Sequence, residues 1–327
     1  MFGERYAGFM QIVDLRQVHS RTLEPLFQEE ARHWREELHW DYLPSIDLIR
    51  KFIDTRSLNG YLAMKDGRPA GYGFYVLEDH KGLIGGLFVS SQSQHSVVTK
   101  EQQDVITKEL LSEMFSALRS APLLHRIEAQ LMPFGTELDP AFLSQYFRLH
   151  NRQFMLLDLA EANLSGKSLS AGLRLEPWSD RAFESAARLI QLAYADHVDG
   201  AINDQYRSEP GGMKFLRNIV ILPGCGQFLP EASFLVRPAG SDSLIGMVLT
   251  STVQDSVGHT TQICVMPGHQ KHGIGRALME QSILALRRRH YQRLSLTVTA
   301  VNSSAVNLYE HLGFRTIKKF AAGVWQA

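Results

Sequence analysis

Apolar positions along the chain follow two periods, and the switches between them mark its elements. Short runs rich in β-branched and aromatic residues, bounded by Gly, Pro, Asn or Asp, read as strands. Runs with apolar residues three and four apart read as amphipathic helices. In the second half this predicts a strand at 173–176, Ser179 as a helix N-cap and a helix through Tyr194. A Gly/Pro-rich region at 200–230 precedes strands at 232–237, 244–253 and 259–266. A loop then leads into a helix over 274–289, a strand at 294–299, a short helix at 304–312 and a strand from Phe314.

The first half runs in nearly the same order. A strand at 11–15 is followed by helices at 23–37 and 45–56. Strands at 61–64 and 70–77 flank Asp66-Gly67, a strong hairpin signal. A strand at 82–89 and a helix at 100–119 come next, then strand 126–131, helix 141–149 and strand 154–159. The shared order implies a duplicated fold. The stretch 160–172 (AEANLSGKSLSAG) is small and polar, the composition of a connector, which predicts domains at 1–160 and 172–327 joined by a linker at 161–171.

Composition narrows the class. At roughly 150 residues per domain, 327 residues suit two domains. With 44% apolar and 21% charged residues the chain reads as soluble and globular. No apolar run approaches the ~18 residues of a membrane span, and residues 1–6, with Glu4 and Arg5, lack a signal-peptide core. Cys225 and Cys264 form neither a disulfide framework nor a cysteine zinc site, so a reducing, cytoplasmic setting is expected. The balance of 34 basic and 34 acidic residues argues against a nucleic-acid partner. It hides an asymmetry: residues 1–165 hold 17 basic and 22 acidic side chains (−5), and 166–327 hold 17 and 12 (+5). An anionic ligand would suit the second half.

The chemistry concentrates in Val265-Met266-Pro267-Gly268-His269-Gln270-Lys271-His272-Gly273-Ile274-Gly275-Arg276-Ala277-Leu278. An apolar strand ends there, a glycine-rich loop follows, and a helix begins. Glycines let backbone N–H groups approach a ligand, and a helix N-terminus carries partial positive charge and unpaired donors. Lys271, His272 and Arg276 add cationic groups. A phosphate or pyrophosphate site is the physical expectation. The P-loop and dinucleotide-binding patterns are both absent.

The pattern Gln270-x-x-Gly273-x-Gly275-x-Ala277 resembles the acetyl-CoA pyrophosphate loop of the GNAT (N-acetyltransferase) superfamily. A second signature follows in the expected order: Asn302 after the next strand, a helix carrying Tyr309, and a Leu312-Gly313-Phe314 return. The resemblance spans 172–327. It implies an α/β (α+β) fold of two GNAT-like domains, each a mixed, mostly antiparallel central sheet flanked by helices. It also implies acetyl-CoA as co-substrate. Backbone groups of Cys264, Val265 and Met266 would pair with the pantetheine arm. Gln270, Lys271, His272, Gly273, Ile274, Gly275, Arg276 and Ala277 would hold the pyrophosphate, Asn302 and Ala305 would line the arm, and Tyr309 would protonate the leaving thiolate.

The proton acceptor is less legible. Some family members place a Glu four residues before the Cys264 position, where this chain has Thr260. Gln262, on the same face by period-two alternation, is no base either, and His259 points to the opposite face as a structural or exposed residue. The polar stretch 194–206 offers Asp196, His197, Asp199 and Asp204, with a water chain as the alternative. His269 and His272 lack a third ligand at metal spacing, so no metal is expected. Cys264, in a buried strand, reads as inert. Arg287 to His290 reads as a basic run complementing a helix end.

The corresponding loop of the first half is Ser90-Ser91-Gln92-Ser93-Gln94-His95-Ser96-Val97-Val98-Thr99, with no glycine between Gly86 and Gly135. Tyr146 falls near the place of Tyr309, but His150-Asn151 replaces Gly-Phe. The first half therefore reads as a degenerate, structural copy in a tandem GNAT arrangement. The function expected is acetyl transfer to an amine of a small-molecule or peptide acceptor, by a monomer or homodimer. The alternative is a non-enzymatic acyl-CoA-binding module.

Overall fold

The structure is a computed structural model that describes residues 10–93, 96–166, 169–222 and 225–327. The described chain divides into two compact units, residues 10–36, 42–150 and 320–327, and residues 37–41 and 151–319.

In the first unit the strands run in the order Met10–Asp14, Asn59–Lys65, Arg68–Glu78, Lys81–Val89, Arg126–Gln130. Pairing is antiparallel except between Lys81–Val89 and Arg126–Gln130, which are parallel. The expected hairpin is present: Asp66 and Gly67 both adopt positive φ, 51° and 74°, between the paired Lys65 and Arg68. Two positive angles give a turn whose twist matches that of the strands. Helix Lys100–Arg119 buries Ile106, Leu110, Leu111, Met114 and Leu118 against the sheet.

The second unit has the order Leu173–Pro177, Phe234–Pro238, Gly246–Gln254, Val257–Val265, Arg293–Thr299, with Gln227–Phe228 beside Gly246–Gln254. Here too one pair is parallel, Val257–Val265 with Arg293–Thr299, and the others are antiparallel. Alternate residues feed two cores. Met247, Leu249 and Cys264 pack with helices Phe183–Tyr194 and Glu209–Val220; Val248, Leu294 and Leu296 pack with helices Ile274–Arg288 and Ser303–Leu312. Each unit is thus a mixed, mostly antiparallel sheet flanked by helices, as expected.

Three features depart from the sequence reading. The first is the boundary. The units part inside the long strand Arg148–Asp158, not at 161–171. Residues Arg152–Asp158 pair with Arg293–Thr299 in the second unit, while Ala322–Gln326 at the far end of the chain pair with Arg126–Gln130 in the first. Each unit therefore contains a strand from the other half of the sequence. A helix over 141–149 is cut short at Ser144, after which Tyr146 takes a positive φ of 62° and the extended strand begins.

The second is the connector. Lys167 and Ser168 lie outside the described residues, but Ala162–Ser165 is pinned: Asn163 N–H bonds the Leu312 carbonyl at 3.1 Å, and Ser165 N–H bonds the Glu280 carboxylate at 2.8 Å. Arg287, in the last turn of helix Ile274–Arg288 as read, also donates to the Leu159 carbonyl at 2.7 Å.

The third is helix Glu209–Val220, inside the region read as Gly/Pro-rich. Ser208 caps it and Pro210 sits in its first turn, where no intrahelical N–H is required. Gly211 and Gly212 serve close packing: a Cβ would lie 2.5 Å from the Gln205 carbonyl and 2.9 Å from that of Ala187.

Candidate active site

The parallel ladder of the second unit is short. Val257–Val265 pairs with Arg293–Thr299 only as far as Thr260 with Leu296, and beyond that the two strands splay. Beyond that point residues 261–265 have left the ladder with Arg293–Thr299 and border the wedge that opens, where side chains take two of their carbonyls. Tyr194 from helix Phe183–Tyr194 reaches into it and donates its hydroxyl to the Ile263 carbonyl at 3.2 Å.

The chain leaves the strand through Met266 and a tight turn at Pro267–His269. Gln270 ties this turn back, its side-chain amide donating to the Val265 carbonyl at 3.1 Å. Lys271 and Gly273 then take positive φ, 63° and 81°, to aim the chain into helix Ile274–Arg288. Gly273 is the N-cap residue and has no side chain to bond the first-turn amides. The donors that Ser or Thr would normally satisfy are therefore available to an anion. Gly273 has open space around it, so its backbone angle, not crowding, favours glycine there.

A cleft of about 340 Å³ opens at this point. Cys264, Val265, Gln270, Lys271, Gly273, Ile274, Gly275 and Arg276 line one side. Asn302, Ser304, Ala305, Leu308 and Tyr309 line the other, with Ala193, Tyr194 and His197 closing it. Of the residues singled out in the sequence, Met266, His272 and Ala277 stay outside it. Met266 packs into the core and its N–H bonds the Ile245 carbonyl at 2.9 Å. His272 is exposed. Arg276 is engaged with Glu280 at 2.7 Å and with the Asn163 carbonyl at 2.9 Å, which directs its charge partly into the protein.

Tyr309 is 5% exposed and sits beside Phe314. Burial pushes its phenol well above the usual range, and the nearby Asp199 carboxylate pushes it the same way. It is therefore fully protonated at neutral pH. Burial likewise raises the Cys264 thiol well above its ordinary range, so it is not a thiolate nucleophile.

Asn302 caps helix Ser303–Leu312 by accepting from the Ala305 N–H at 3.2 Å, while its amide nitrogen faces His197 Nε2 at 3.1 Å. His197 in turn caps helix Val198–Ile202, its Nδ1 receiving the Asp199 N–H at 3.2 Å. The Asp199 carboxylate lies 3.6 Å from the same ring nitrogen and accepts a short bond from the Thr299 hydroxyl. Asp196 is exposed, and neither it nor Asp204 lines the cleft.

Alternation does not run through the strand Val257–Val265. Its register slips between Leu249 and Thr250, so that Gln262 faces Leu249 and Thr260 faces Thr250. A one-residue slip exchanges faces. Thr260 turns with Thr250, which meets Ser282 of helix Ile274–Arg288 at 2.9 Å, and does not share a face with Gln262. His259 is buried against Trp40 and Phe154 with Ser295 2.9 Å away. Burial drives its pKa down to about 3, so it is a neutral structural residue.

The sequence reading missed the cleft contributions of Ala193, Tyr194, Ile263, Ser304 and Leu308. Helical spacing from Ala305 could have found Leu308, and Ser304 four residues before it, whereas Ala193, Tyr194 and Ile263 carried no such mark. Among the described residues no group of three His, Cys, Asp or Glu side chains could hold a metal ion.

The acetyltransferase (GNAT) family model matches residues 202–314. That match takes in the helix Glu209–Val220, the splayed strand, the glycine loop and Tyr309. The chain is 30% identical to a mycothiol acetyltransferase of Beutenbergia cavernae over 159 residues, 48% of this chain and 50% of that protein. It is 48% identical over 52 residues to the [ribosomal protein bS18]-alanine N-acetyltransferase of Escherichia coli K12, 16% of this chain and 35% of that one. The chain thus spans half or less of the length of these relatives. A solved tandem GNAT protein from the clavulanic acid biosynthesis pathway shares the fold over 97% of this chain and 98% of its own, with a TM-score of 0.61 at 11% identity. The chain shares the fold of that tandem GNAT protein over nearly its whole length, and residues 202–314 match the family model.

Proposed function

We propose that this chain transfers an acetyl group from acetyl-CoA to an amine. One observation carries the reading. A helix N-terminus without a side-chain cap, the end of a strand that has left its parallel ladder and a buried phenol all open into a single cleft. The residues suit the co-substrate: first-turn amides at Ile274 to Arg276 with Lys271 for the pyrophosphate, the cleft-lining strand end Ile263, Cys264 and Val265 for the pantetheine arm, and Tyr309 for the sulfur. Acetyl-CoA supplies the activated acyl carbon. Tyr309 holds the proton that the departing thiolate needs, and backbone N–H groups of the splayed strand stabilise charge developing on the carbonyl oxygen. The name of the bS18-alanine N-acetyltransferase relative supports an amine as acceptor.

We also read the first unit as non-catalytic. Its helix Lys100–Arg119 is closed by a reciprocal capping box, Thr99 bonding the Gln102 N–H and the Gln102 side chain bonding the Thr99 N–H. Tyr146 is 89% exposed and cannot serve a pocket. Gln94 and His95, in the segment that corresponds by sequence to the second unit's loop, lie outside the described residues.

The test is thermal and calorimetric. Acetyl-CoA should raise the melting temperature of the wild-type chain, and Gly273→Val should abolish that shift. Gly275→Ala separates binding from folding. Its Cβ would meet only ordinary contacts, 3.6 Å from Leu308, so stability should hold while CoA affinity falls about tenfold, or ~1.4 kcal/mol. An unchanged shift in both variants would sink the assignment. Tight CoA binding without release of CoA from acetyl-CoA, with any amine or with water, would favour a binding module instead.

A further inference from the structure

Resting on the acetyl-transfer reading, we infer that His197, oriented by Asp199, is the base that takes the proton from the incoming ammonium group. The chain has Thr260 where a strand carboxylate would otherwise stand, and the slipped register turns that threonine toward helix Ile274–Arg288. Of the titratable groups from Tyr194 to Tyr206, His197 and Tyr194 line the same cleft as Tyr309. Tyr194 is no base: burial holds its phenol well above the usual range, and it already donates to Ile263.

The setting of His197 is that of a held imidazole. Its ring meets Tyr194 edge-on at 5.3 Å, and Asn302 fixes the Nε2 side. Two N–H donors, from Asp199 and Asn302, point at its two nitrogens, and a neutral ring can accept only one of them. When Nε2 is the acceptor, Nδ1 carries the ring proton, and an Asp199 carboxylate oxygen lies 3.6 Å from that nitrogen. That carboxylate is itself fixed by Thr299, so a proton gained by the ring meets a placed negative charge. A base backed by an oriented carboxylate is a recurrent way to prepare a nucleophile.

The protons then balance. The ammonium displaces the Asn302 amide from His197 Nε2, which takes one proton and passes it to solvent, the side chain being 29% exposed. The free nitrogen forms its bond to the acyl carbon and the carbon–sulfur bond breaks. Tyr309 gives its proton to the sulfur and is reprotonated by the second proton leaving the nitrogen. One proton is released per acetyl group transferred.

The test uses two variants of the full chain. His197→Asn keeps an acceptor for the Asp199 N–H, and so the helix cap, but cannot carry a proton at neutral pH. His197→Ala leaves room for added imidazole. CoA release from acetyl-CoA is followed with amino acids, polyamines, aminoglycosides, a peptide with a free N-terminus and hydroxylamine, which is already unprotonated at neutral pH. Both variants should lose ~10²-fold in kcat with ammonium-type acceptors while the KM for acetyl-CoA stays put. Imidazole should restore His197→Ala, and hydroxylamine should suffer the smaller loss. Wild-type kcat in His197→Asn, or a loss equal for hydroxylamine and unrescued by imidazole, overturns the assignment and leaves acetyl transfer intact. A wild-type chain that binds CoA yet releases none from acetyl-CoA with any acceptor overturns both.

Discussion

The carboxylate of Glu29 accepts a hydrogen bond from the Ser91 backbone N–H at 2.9 Å and another from the Ser91 hydroxyl at the same distance. A third comes from Ser90. Ser91 follows the strand Lys81–Val89 just where the second unit's glycine loop follows its own strand. In the first unit the donors at the strand's end are thus taken by the protein's own anion. Like charge at short range would repel a phosphate placed there.

One molecule of CoA should therefore bind per chain. Calorimetric titration of the full chain checks this, and a stoichiometry of two would defeat the reading of the first unit.

Tyr309→Phe removes a hydroxyl and little else. Packing beside Phe314 and CoA binding should survive, while kcat falls ~10²-fold, as expected for an interaction made mainly in the transition state. Steady-state kinetics checks it: a wild-type kcat would reduce Tyr309 to a packing residue, and a raised KM with unchanged kcat would make it a binding residue.

Glu30 is buried, its pKa raised to about 7 chiefly by desolvation and opposed by bonds from Tyr72 and Trp34. The folded state holds this proton more tightly than the unfolded chain does. Its contribution is thus complete below the unfolded value near 4.5 and is lost as pH rises to about 7. Glu30→Gln keeps the shape and an acceptor for Tyr72. It should raise stability relative to wild type at pH 8 by up to about 3 kcal/mol, with little gain at pH 4.5. Urea titrations at the two pH values measure the difference, and an equal change at both would refute the linkage.

His259 gives the opposite sign. Its pKa is lowered to about 3 by burial first and by the Arg152 charge second. The unfolded chain binds this proton first, so the residue costs nothing above about pH 6.5 and destabilises progressively as pH falls toward 3. His259→Phe preserves the ring stack with Phe154 and leaves Ser295 its bond to the Gly258 carbonyl at 3.2 Å. The variant should lose stability less steeply between pH 6 and 4, visible in melting curves; parallel curves would show that His259 does not titrate on unfolding.

Legibility in the sequence followed how local the physics was. The loop from Met266 to Ile274 could be read because a strand-to-helix turn with free donors requires glycine at Gly273, and Gly313 closes helix Ser303–Leu312 by the same rule, at φ 101°. The Asp66-Gly67 hairpin was equally local. The slip at Thr261 left no mark, since it arises from pairing with Leu249 and Thr250, and it reversed the facing assigned to Thr260. The segment with Pro210, Gly211 and Gly212 read only as Gly/Pro-rich, because what suits these residues to a helix is a first turn needing no donor and close packing on the carbonyls of Gln205 and Ala187. The connector misled in the same way: small polar residues suit a linker, but here they lie against Glu280 and Leu312.

The crossing of the two halves has a consequence for how the molecule is made. Arg126–Gln130 waits for Ala322–Gln326, which emerges about 190 residues later in synthesis. On a ribosome that delivers residues from the N-terminal end at ~5–20 per second, the first unit begins to form early and is completed last. For roughly 10–40 seconds one rim of its sheet lacks its final partner, the period in which a nascent sheet is open to pairing with the wrong strand.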